Sequence, residues 1–462
     1  MNAMSSTAAA VLEPRGEARV ALEGVAVEAT LQGLLAETTV TQTYRNLEED
    51  NIEAVYTFPL PRDAVLLEMA FELGERRLEG VVQARGEATE RYERAMEEGD
   101  TAVLLEQAAP GLYTVNVGNL LPEEVAKVRF RYAQLLAWQG ESLRFHLPTT
   151  IAPRYGDPAA AGLAPHQVPA HALDGERDFT LTVAVEGALA GAPFECPSHP
   201  VSVRALEGRR ELRLAGRAAL MDRDFVLVLR QDGGILPEAR LARDGEGWVA
   251  LASFHPVLPT PVQEAPRNVK LVVDCSGSMS GDSIAQAREA LATILEELGP
   301  RDHFNIVTFG TRHRRLFPGQ VPADGEPLEA ARRLAEELGA DMGGTEIKAA
   351  LDAAYGSRGA QDTPPDVLLV TDGQSYDERA VVGAARESGH RVFSVGVGSA
   401  VSEAFLGRLA EETGGALERV SPREDMAERI VRQFRRMGQP RARERSEEHT
   451  SEPQSLSHIS YA

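Results

Sequence analysis

Acidic and hydroxyl side chains follow two apolar segments in the second half of the sequence. The segment that ends at Val273 is followed by Asp274-Cys-Ser-Gly-Ser278, a DxSxS pattern, and the segment that ends at Val370 is followed by Thr371-Asp-Gly373. A further hydroxyl, Thr345, comes after a glycine pair, which lets the backbone approach a neighbouring loop closely. In an open α/β sheet the carboxyl ends of the strands meet at a crevice, so we expect these side chains to converge.

The predicted ligand set offers only oxygen atoms, and it consists of Asp274, Ser276, Ser278, Thr345 and Asp372. Carboxylate and hydroxyl oxygens without His or Cys favour Mg²⁺, with Mn²⁺ or Ca²⁺ as alternatives, over zinc or copper. Hydroxyls are weak ligands, so the cation would keep net positive charge and an open position for an incoming carboxylate. The residues also allow a simpler interpretation, in which DxSxS is a serine-rich turn whose Asp caps a helix.

The elements that would position these side chains alternate between strands and helices over residues 267–438. Such alternation is typical of a doubly wound, Rossmann-like α/β domain with helices on both faces of a parallel sheet. In the first helix Ile284, Leu291 and Leu298 fall on one stripe, as expected for a helix that packs on a sheet. The predicted strands are 269–273, 304–309, 367–370 and 392–397, and the predicted helices are 282–298, 327–338, 347–355, 378–388, 403–412 and 423–437.

The first half of the sequence is predicted to be rich in β-strands. Residues 126–132 alternate apolar and basic side chains, the pattern of a half-buried strand, and residues 87–98 form a single predicted helix. A β-rich connecting region, 137–262, continues with short apolar runs at 179–185 and 225–229. The segment 256–266 carries four prolines in eleven residues, so we interpret it as a linker.

The DxSxS motif, Thr345 and Asp372 together resemble the metal-ion-dependent adhesion site of von Willebrand factor A domains. The resemblance implies that Ser276, Ser278 and Thr345 coordinate the metal directly, and that Asp274 and Asp372 act directly or through water. It further implies that an acidic residue of a partner protein supplies the sixth ligand.

Residues 16–136 resemble the vault and inter-alpha-trypsin (VIT) domain that precedes such A domains in inter-alpha-trypsin inhibitor heavy chains and their bacterial relatives. Taken individually, Tyr44 and Tyr56 are interpreted as core aromatics, and Phe58-Pro-Leu-Pro61 as an edge strand that ends in a rigid turn. These motifs therefore predict architecture rather than a site. The matching segments are Thr41-Gln-Thr-Tyr44 with Asn46, Glu53 to Pro61, Tyr92-Glu-Arg-Ala95 and Asn116 to Pro122, and Ser198-His-Pro200 and Arg223-Asp-Phe225 match the segment between the two domains.

Composition restricts the partners and the compartment. The 462 residues include 48 basic and 70 acidic side chains, a net charge of −22, which argues against nonspecific binding of nucleic acid or anionic membranes. The sequence as written shows neither a signal peptide nor an apolar stretch of about 18 residues, so we expect no membrane insertion. We expect a cytoplasmic location, or an extracytoplasmic one if the natural start is missing. Cys196 and Cys275 lie far apart, which favours a reducing compartment.

Two further features concern the source of the sequence. Lysine occurs only at positions 127, 270 and 348, whereas Arg, Ala and Gly are abundant, which suggests a GC-rich bacterial genome. From Arg445 the text resembles the translation of a short-read sequencing adapter, with Pro453 where Leu is usual. Residues 445–462 are therefore predicted to be non-native, and a charged disordered tail is the alternative.

These observations predict a non-enzymatic, adhesion-type protein that engages an acidic group of a protein partner through a divalent cation. The alternatives are a structural scaffold with a vestigial metal site and a metal-dependent hydrolase. Against a hydrolase, no second carboxylate stands two residues after Asp274, and the sequence lacks a Walker A loop and a GxSxG elbow. His303, His313 and His390 have no nucleophile next to them in sequence, so we interpret them as surface or core residues. The oligomeric state is not indicated.

Overall fold

The computed structural model divides into two compact units. The first contains the described residues up to Ser253, and the second contains the described residues from 266 to 438. The described residues are 11–14, 20–61, 63–73, 76–79, 92, 94–95, 98, 103–109, 112–149, 178–216, 219–221, 223–231, 237–253, 266–356, 366–372, 377–398, 401, 403–421 and 424–438.

The first unit is built from strands. They are β1 (Val11–Pro14), β2 (Val20–Gln32), β3 (Leu35–Asn46), β4 (Ile52–Pro59), β5 (Ala64–Leu73), β6 (Arg76–Glu79), β7 (Val103–Ala109), β8 (Leu112–Leu120), β9 (Val125–Leu135), β10 (Trp138–Gln139), β11 (Ser142–Leu147), β12 (Asp178–Glu186), β13 (Phe194–Glu195), β14 (Val201–Leu206), β15 (Arg209–Leu214), β16 (Ala219–Leu220), β17 (Phe225–Arg230), β18 (Glu238–Asp244) and β19 (Gly247–Ser253). Within the described residues the largest sheet has the order β14-β15-β12-β2-β3-β9-β5-β6, and β16 pairs with β12.

Strand β9 shows why one face of this sheet is buried. Its apolar residues Val128, Phe130 and Tyr132 are buried, as the period-two pattern predicts. The intervening basic residues point outward, where Arg131 pairs with Glu37 at 3.1 Å and others pair with acidic residues of β5. Tyr44 is fully buried, as predicted for a core aromatic. Phe58 is also fully buried and stacks on Phe130 at 4.4 Å, and its strand β4 pairs with both β1 and β8, so the interpretation of this segment as an edge strand was wrong.

Polar residues of the motifs in this unit hold the backbone. Asn46 is fully buried, and its side-chain amide donates to the carbonyls of residues 50, 120 and 121. Ser198 Oγ accepts a hydrogen bond from the Val226 amide, and Asp224 accepts one from the Thr149 amide. These contacts satisfy buried polar groups, which agrees with the interpretation that the motifs specify architecture.

The second unit alternates strands and helices. Its elements are β20 (Asn268–Asp274), α1 (Asp282–Glu297), β21 (His303–Phe309), β22 (His313–Arg315), β23 (Val321–Pro322), α2 (Gly325–Glu337), α3 (Ile347–Tyr355), β24 (Asp366–Thr371), α4 (Glu378–Ser388), β25 (Arg391–Val397), α5 (Glu403–Glu412), β26 (Leu417–Val420) and α6 (Met426–Met437). The sheet order is β22-β21-β20-β24-β25-β26, and β23 also pairs with β21. Strands β21, β20, β24, β25 and β26 are parallel, whereas β22 and β23 run antiparallel to β21.

Each central strand is buried on both faces, because helices cover both sides of the sheet. Leu271 and Val273 pack with α1, α2 and α6, whereas Val272 packs with α3, α4 and α5. The predicted fold class, a β-rich region followed by a doubly wound α/β domain, is confirmed. Within the described residues no helix is both long and apolar enough to cross a membrane.

Most predicted elements of the second unit occur at their expected places. The helices 347–355, 378–388 and 403–412 have the predicted bounds, whereas α6 begins at Met426 rather than at residue 423. Three short strands, β22, β23 and β26, were not predicted. Of the predicted helix 87–98 the structure describes only residues 92, 94, 95 and 98, and the first three of these are helical. The predicted linker 256–266 lies outside the described residues except for residue 266, and the tail from Arg445 lies entirely outside them.

Candidate metal centre

The predicted ligands lie at the carboxyl edge of the second sheet. Strand β20 is flanked by β21 on one side and by β24 on the other, so the chain order reverses at β20. This reversal opens the crevice in which doubly wound sheets bind ligands. Asp274 ends β20 and Asp372 directly follows β24.

Asp274 is fully buried and is held at both carboxylate oxygens. The Ser276 amide donates to Oδ1 at 2.8 Å, and Thr371 Oγ1 donates to Oδ2 at 2.6 Å. Each oxygen retains a second lone pair for another donor or a cation. The carboxylate is therefore oriented before anything binds.

The two serines of the motif stand side by side. Ser276 Oγ and Ser278 Oγ are 3.0 Å apart. Ser276 is buried, whereas Ser278 is exposed, so the pair runs from the interior to the surface. A turn of 3₁₀-helix at Gly277–Met279 produces this arrangement, and its Met279 is buried in the core below.

The loop that carries Thr345 is fixed to the DxSxS loop through backbone hydrogen bonds. The Gly277 amide donates to the Gly343 carbonyl at 2.9 Å, and the Met342 amide donates to the Cys275 carbonyl at 3.0 Å. Gly343 has a φ of +82°, a conformation that favours glycine. Thr345 is half-buried and lies two residues after this contact.

A second loop, residues 310–312, supports the Thr345 loop from the other side. The Thr311 amide donates to the Met342 carbonyl at 2.8 Å, and Thr311 Oγ1 accepts a hydrogen bond from the Gly344 amide at 2.8 Å. The Glu346 amide donates to the Gly310 carbonyl at 2.9 Å. Three loops that are distant in sequence are thus joined at the end of the sheet.

Burial and the charge of a neighbouring carboxylate both disfavour ionisation of Asp274. Burial, and then the neighbouring charge of Asp372, raises the pKa of Asp274 to about 6. Two carboxylates that disfavour each other's charge are stabilised by a cation between them. Asp372 Oδ1 is withdrawn from solvent, whereas the Asp372 side chain as a whole is half-buried.

The residues present fit a hard divalent cation. All the candidate ligands are oxygen atoms, and carboxylates and hydroxyls are the chemistry of Mg²⁺, Mn²⁺ and Ca²⁺ sites. In the described part of the chain no cluster of three or more His, Cys, Asp or Glu side chains could hold a metal, and the candidate centre supplies only Asp274 and Asp372 of these types. Burial raises the pKa of the Cys275 thiol to about 12, so this residue packs as a neutral group.

Sequence reasoning missed the role of Thr371. Its hydroxyl binds Asp274 from the neighbouring strand, and it stands directly before Asp372 in the sequence. A hydroxyl at the last position of a buried strand was the available signal, because such a group needs a partner. Thr311 was also missed, since its contact with Gly344 crosses 33 positions of the chain.

Two family models match the chain, in the same order as the two domains predicted from the motifs. Residues 22–132 match the model of the Vault protein inter-alpha-trypsin domain, and residues 267–419 match the model of the von Willebrand factor type A domain. The chain thus carries both domains that the motifs indicated, and von Willebrand factor A domains typically mediate protein interactions.

Similar curated proteins contain both halves. Human von Willebrand factor A domain-containing protein 5A is 26% identical over 453 residues, which cover 91% of this chain and 57% of that protein. Human inter-alpha-trypsin inhibitor heavy chain H4 is 26% identical over 90% of this chain and 45% of that protein. Human Protein mono-ADP-ribosyltransferase PARP4 is 26% identical over 90% of this chain and 24% of that protein. The chain therefore spans about half the length, or less, of these relatives.

Proposed function

Because the chain combines a Vault protein inter-alpha-trypsin domain with a von Willebrand factor type A domain, we propose that it binds a protein partner through a divalent cation. Asp274, Ser276, Ser278, Thr345 and Asp372 hold the cation, with Mg²⁺ as the first candidate. A carboxylate of the partner completes the coordination.

The arrangement around Asp274 is the observation that carries this proposal. Its carboxylate is buried and aimed by two hydrogen bonds, and its pKa is raised first by burial and then by a second carboxylate at the same edge of the sheet. A structural aspartate is ordinarily satisfied by donors alone, whereas this one also faces a like charge. The cost of that repulsion is offset when a cation binds.

A binding role also agrees with the names of the relatives. Most are named for the von Willebrand factor A domain or as an inter-alpha-trypsin inhibitor heavy chain rather than as enzymes. The name of PARP4 denotes a transferase, but this chain covers only 24% of that protein. We therefore favour binding over catalysis for this chain.

Titration calorimetry of Mg²⁺ and Mn²⁺ into the full chain tests the proposal. We expect saturable binding at one site in the wild type and no measurable binding in Asp274→Ala. Because Asp274 is buried, the second variant is Ser278→Ala, whose side chain is exposed and can be removed without opening the core. It should weaken binding by roughly tenfold, the effect of about 1.4 kcal/mol of lost coordination.

Ser280→Ala is the matched control, because Ser280 is an exposed serine outside the ligand set. Its affinity should remain within about twofold of the wild type. Equal affinities in Ser278→Ala and Ser280→Ala would contradict the proposed ligand set. Absence of binding in the folded wild type would favour the scaffold with a vestigial site.

A further inference from the structure

A row of basic side chains lies next to the candidate metal centre. Arg312, Arg314 and Arg315, which we call the basic edge, are exposed, as is His313 between them. The chain as a whole has a net charge of −22, so three arginines within four residues are a local reversal of sign. Such a reversal attracts anionic groups to one place on an otherwise repelling surface.

The basic edge is attached to the loops of the candidate centre. The Gly310 amide donates to the Arg312 carbonyl at 2.8 Å, which closes the turn that begins the edge. Within that turn Thr311 binds both Met342 and Gly344, the residues that precede Thr345. The first arginine is thus one residue away from a side chain that positions the Thr345 loop.

Two of the three arginines, Arg314 and Arg315, lie on β22, the strand at the edge of the sheet, and Arg312 directly precedes it. Strand β22 pairs with β21 on one side, and in the described part of the chain no strand pairs with its other side. An extended segment of a partner that lay along this side of β22 would contact the arginines one after another.

The charges of the edge remain available to a partner. In the described residues, none of the three arginines forms an ion pair within 4.0 Å, although exposed pairs are common elsewhere on this unit. Asp341 and Glu346 are exposed on the loop that carries Thr345, and neither is paired with the edge. Long-range attraction by the edge is therefore not cancelled by direct contacts.

We propose that the basic edge binds acidic side chains that flank the carboxylate seated at the candidate metal centre, so that the partner presents an extended acidic segment of a protein. This inference rests on the proposed function and specifies the partner. A nucleic acid is disfavoured, because a long polyanion would meet the net charge of −22 beyond the short edge. An acidic peptide needs to match only the edge and the cation.

Fluorescence anisotropy with a labelled octaglutamate peptide tests the inference on the full chain. The edge variant is Arg312→Gln/Arg314→Gln/Arg315→Gln, and the control is Arg301→Gln/Arg332→Gln/Arg333→Gln, three exposed arginines of the same unit. At saturating Mg²⁺ we expect the edge variant to bind the peptide at least about tenfold more weakly, and the control to stay within about twofold. Circular dichroism checks that both variants are folded.

Repeating the titration in EDTA separates this inference from the proposed function. Binding that depends on Mg²⁺ but is equal in the edge variant and the control would overturn the basic edge and leave the metal proposal standing. Binding that is unchanged by EDTA and by Asp274→Ala, yet lost in the edge variant, would overturn the metal proposal and with it this inference, because the edge would then bind acidic segments without a carboxylate seated at the centre. An oligothymidylate that displaces the peptide at equal concentration would overturn the assignment to an acidic protein segment.

Discussion

Strand β20 carries a buried charged residue towards each end, and the two are accommodated differently. Asp274, at the carboxyl end, receives two hydrogen bonds and faces a second carboxylate. Lys270, four residues earlier, donates to His390 Nε2 at 2.6 Å, and the Tyr355 ring lies 5.0 Å from the His390 ring. Burial lowers the pKa of Lys270 to about 8, and burial followed by the charge of Lys270 lowers that of His390 to about 4.

The difference separates the candidate metal centre from a structural contact. At the Lys270 end the charged group meets a neutral acceptor, and no opposing charge is needed to complete the contact. At the Asp274 end the donors orient a carboxylate while a like charge keeps it destabilised. Substitutions should therefore change cation binding at one end of the strand and only stability at the other.

The largest effect is expected where the loops approach each other. In Gly310→Ala the added methyl would lie 2.5 Å from Met342 Cβ and would also collide with the Met342 carbonyl. Because backbone atoms cannot move aside cheaply, we expect a loss of about 3 kcal/mol in the free energy of unfolding and weaker Mg²⁺ binding. Urea denaturation and calorimetry measure the two effects.

Gly383→Ala is the matched control for this substitution. Gly383 lies inside α4, and a methyl there would meet no atom within 4 Å. It should stabilise the chain by about 0.5–1 kcal/mol through helix propensity, without changing cation affinity. If Gly310→Ala were equally harmless, the loops would not be held in the described arrangement.

A smaller effect is expected from the hydroxyl that aims Asp274. Thr371→Val keeps the volume but removes the hydrogen bond to Oδ2. We expect a loss of about 1–2 kcal/mol in stability and roughly tenfold weaker Mg²⁺ binding, since a buried acceptor loses its donor. Calorimetry and urea denaturation of the same samples measure both quantities.

Thr371→Ser separates aiming from packing in this test. It retains the hydroxyl and removes only a methyl group, so its Mg²⁺ affinity should return towards that of the wild type. A Ser variant as weak as the Val variant would show that the methyl group, and not the hydrogen bond, matters.

At the other end of the strand the expected change has the opposite sign. Lys270→Met removes a buried ammonium, so it should stabilise the chain by about 1 kcal/mol at pH 7, because a charge no longer has to be withdrawn from water on folding. Its Mg²⁺ affinity should be unchanged. Thermal denaturation and calorimetry test both statements, and a large loss of cation binding would contradict the division between the two ends.

The pH dependence provides a second measurement on Lys270. Its pKa is lowered from 10.5 to about 8, so between these values the unfolded chain binds a proton that the folded chain has released. The free energy of unfolding therefore rises with pH across this window in the wild type. Lys270→Met should flatten that rise, as urea denaturation at several pH values would show.

The sequence was sufficient for the elements that have a clear apolar pattern. Helix α3 was predicted because its apolar residues repeat with the helical period, and strand β20, which is buried on both faces, was predicted from a short run of apolar residues. Strand β26 was missed, since it contains a buried Glu418, whose charge is paired with Arg429 at 2.7 Å and with Arg432 from a later helix. Strand β22 was missed because Arg314 and its neighbours show no apolar pattern, and the strand exists through pairing with β21.

The candidate centre likewise has features that local sequence predicts and features that depend on the tertiary fold. The five candidate ligand residues were proposed from local motifs, and the structure brings the loops that carry them to one edge of the sheet. The contacts of Thr311 and Thr371 with those loops depend on which strands are neighbours, and local sequence does not state this. For the same reason the parallel pairing of β12 with β2 in the first unit could not be predicted from either strand alone.

The smallest effect is expected at an exposed charge, which completes the comparison with the two buried ones. Arg332 on α2 pairs with Glu329 one turn earlier at 2.7 Å, and both side chains are about half exposed. Because water screens this pair in the folded chain and solvates both groups in the unfolded chain, Arg332→Gln should change stability by less than about 0.5 kcal/mol. Thermal denaturation in low and high salt measures it. A larger loss, comparable to that of Thr371→Val, would mean that burial is not what distinguishes the charges of β20 from those of the surface.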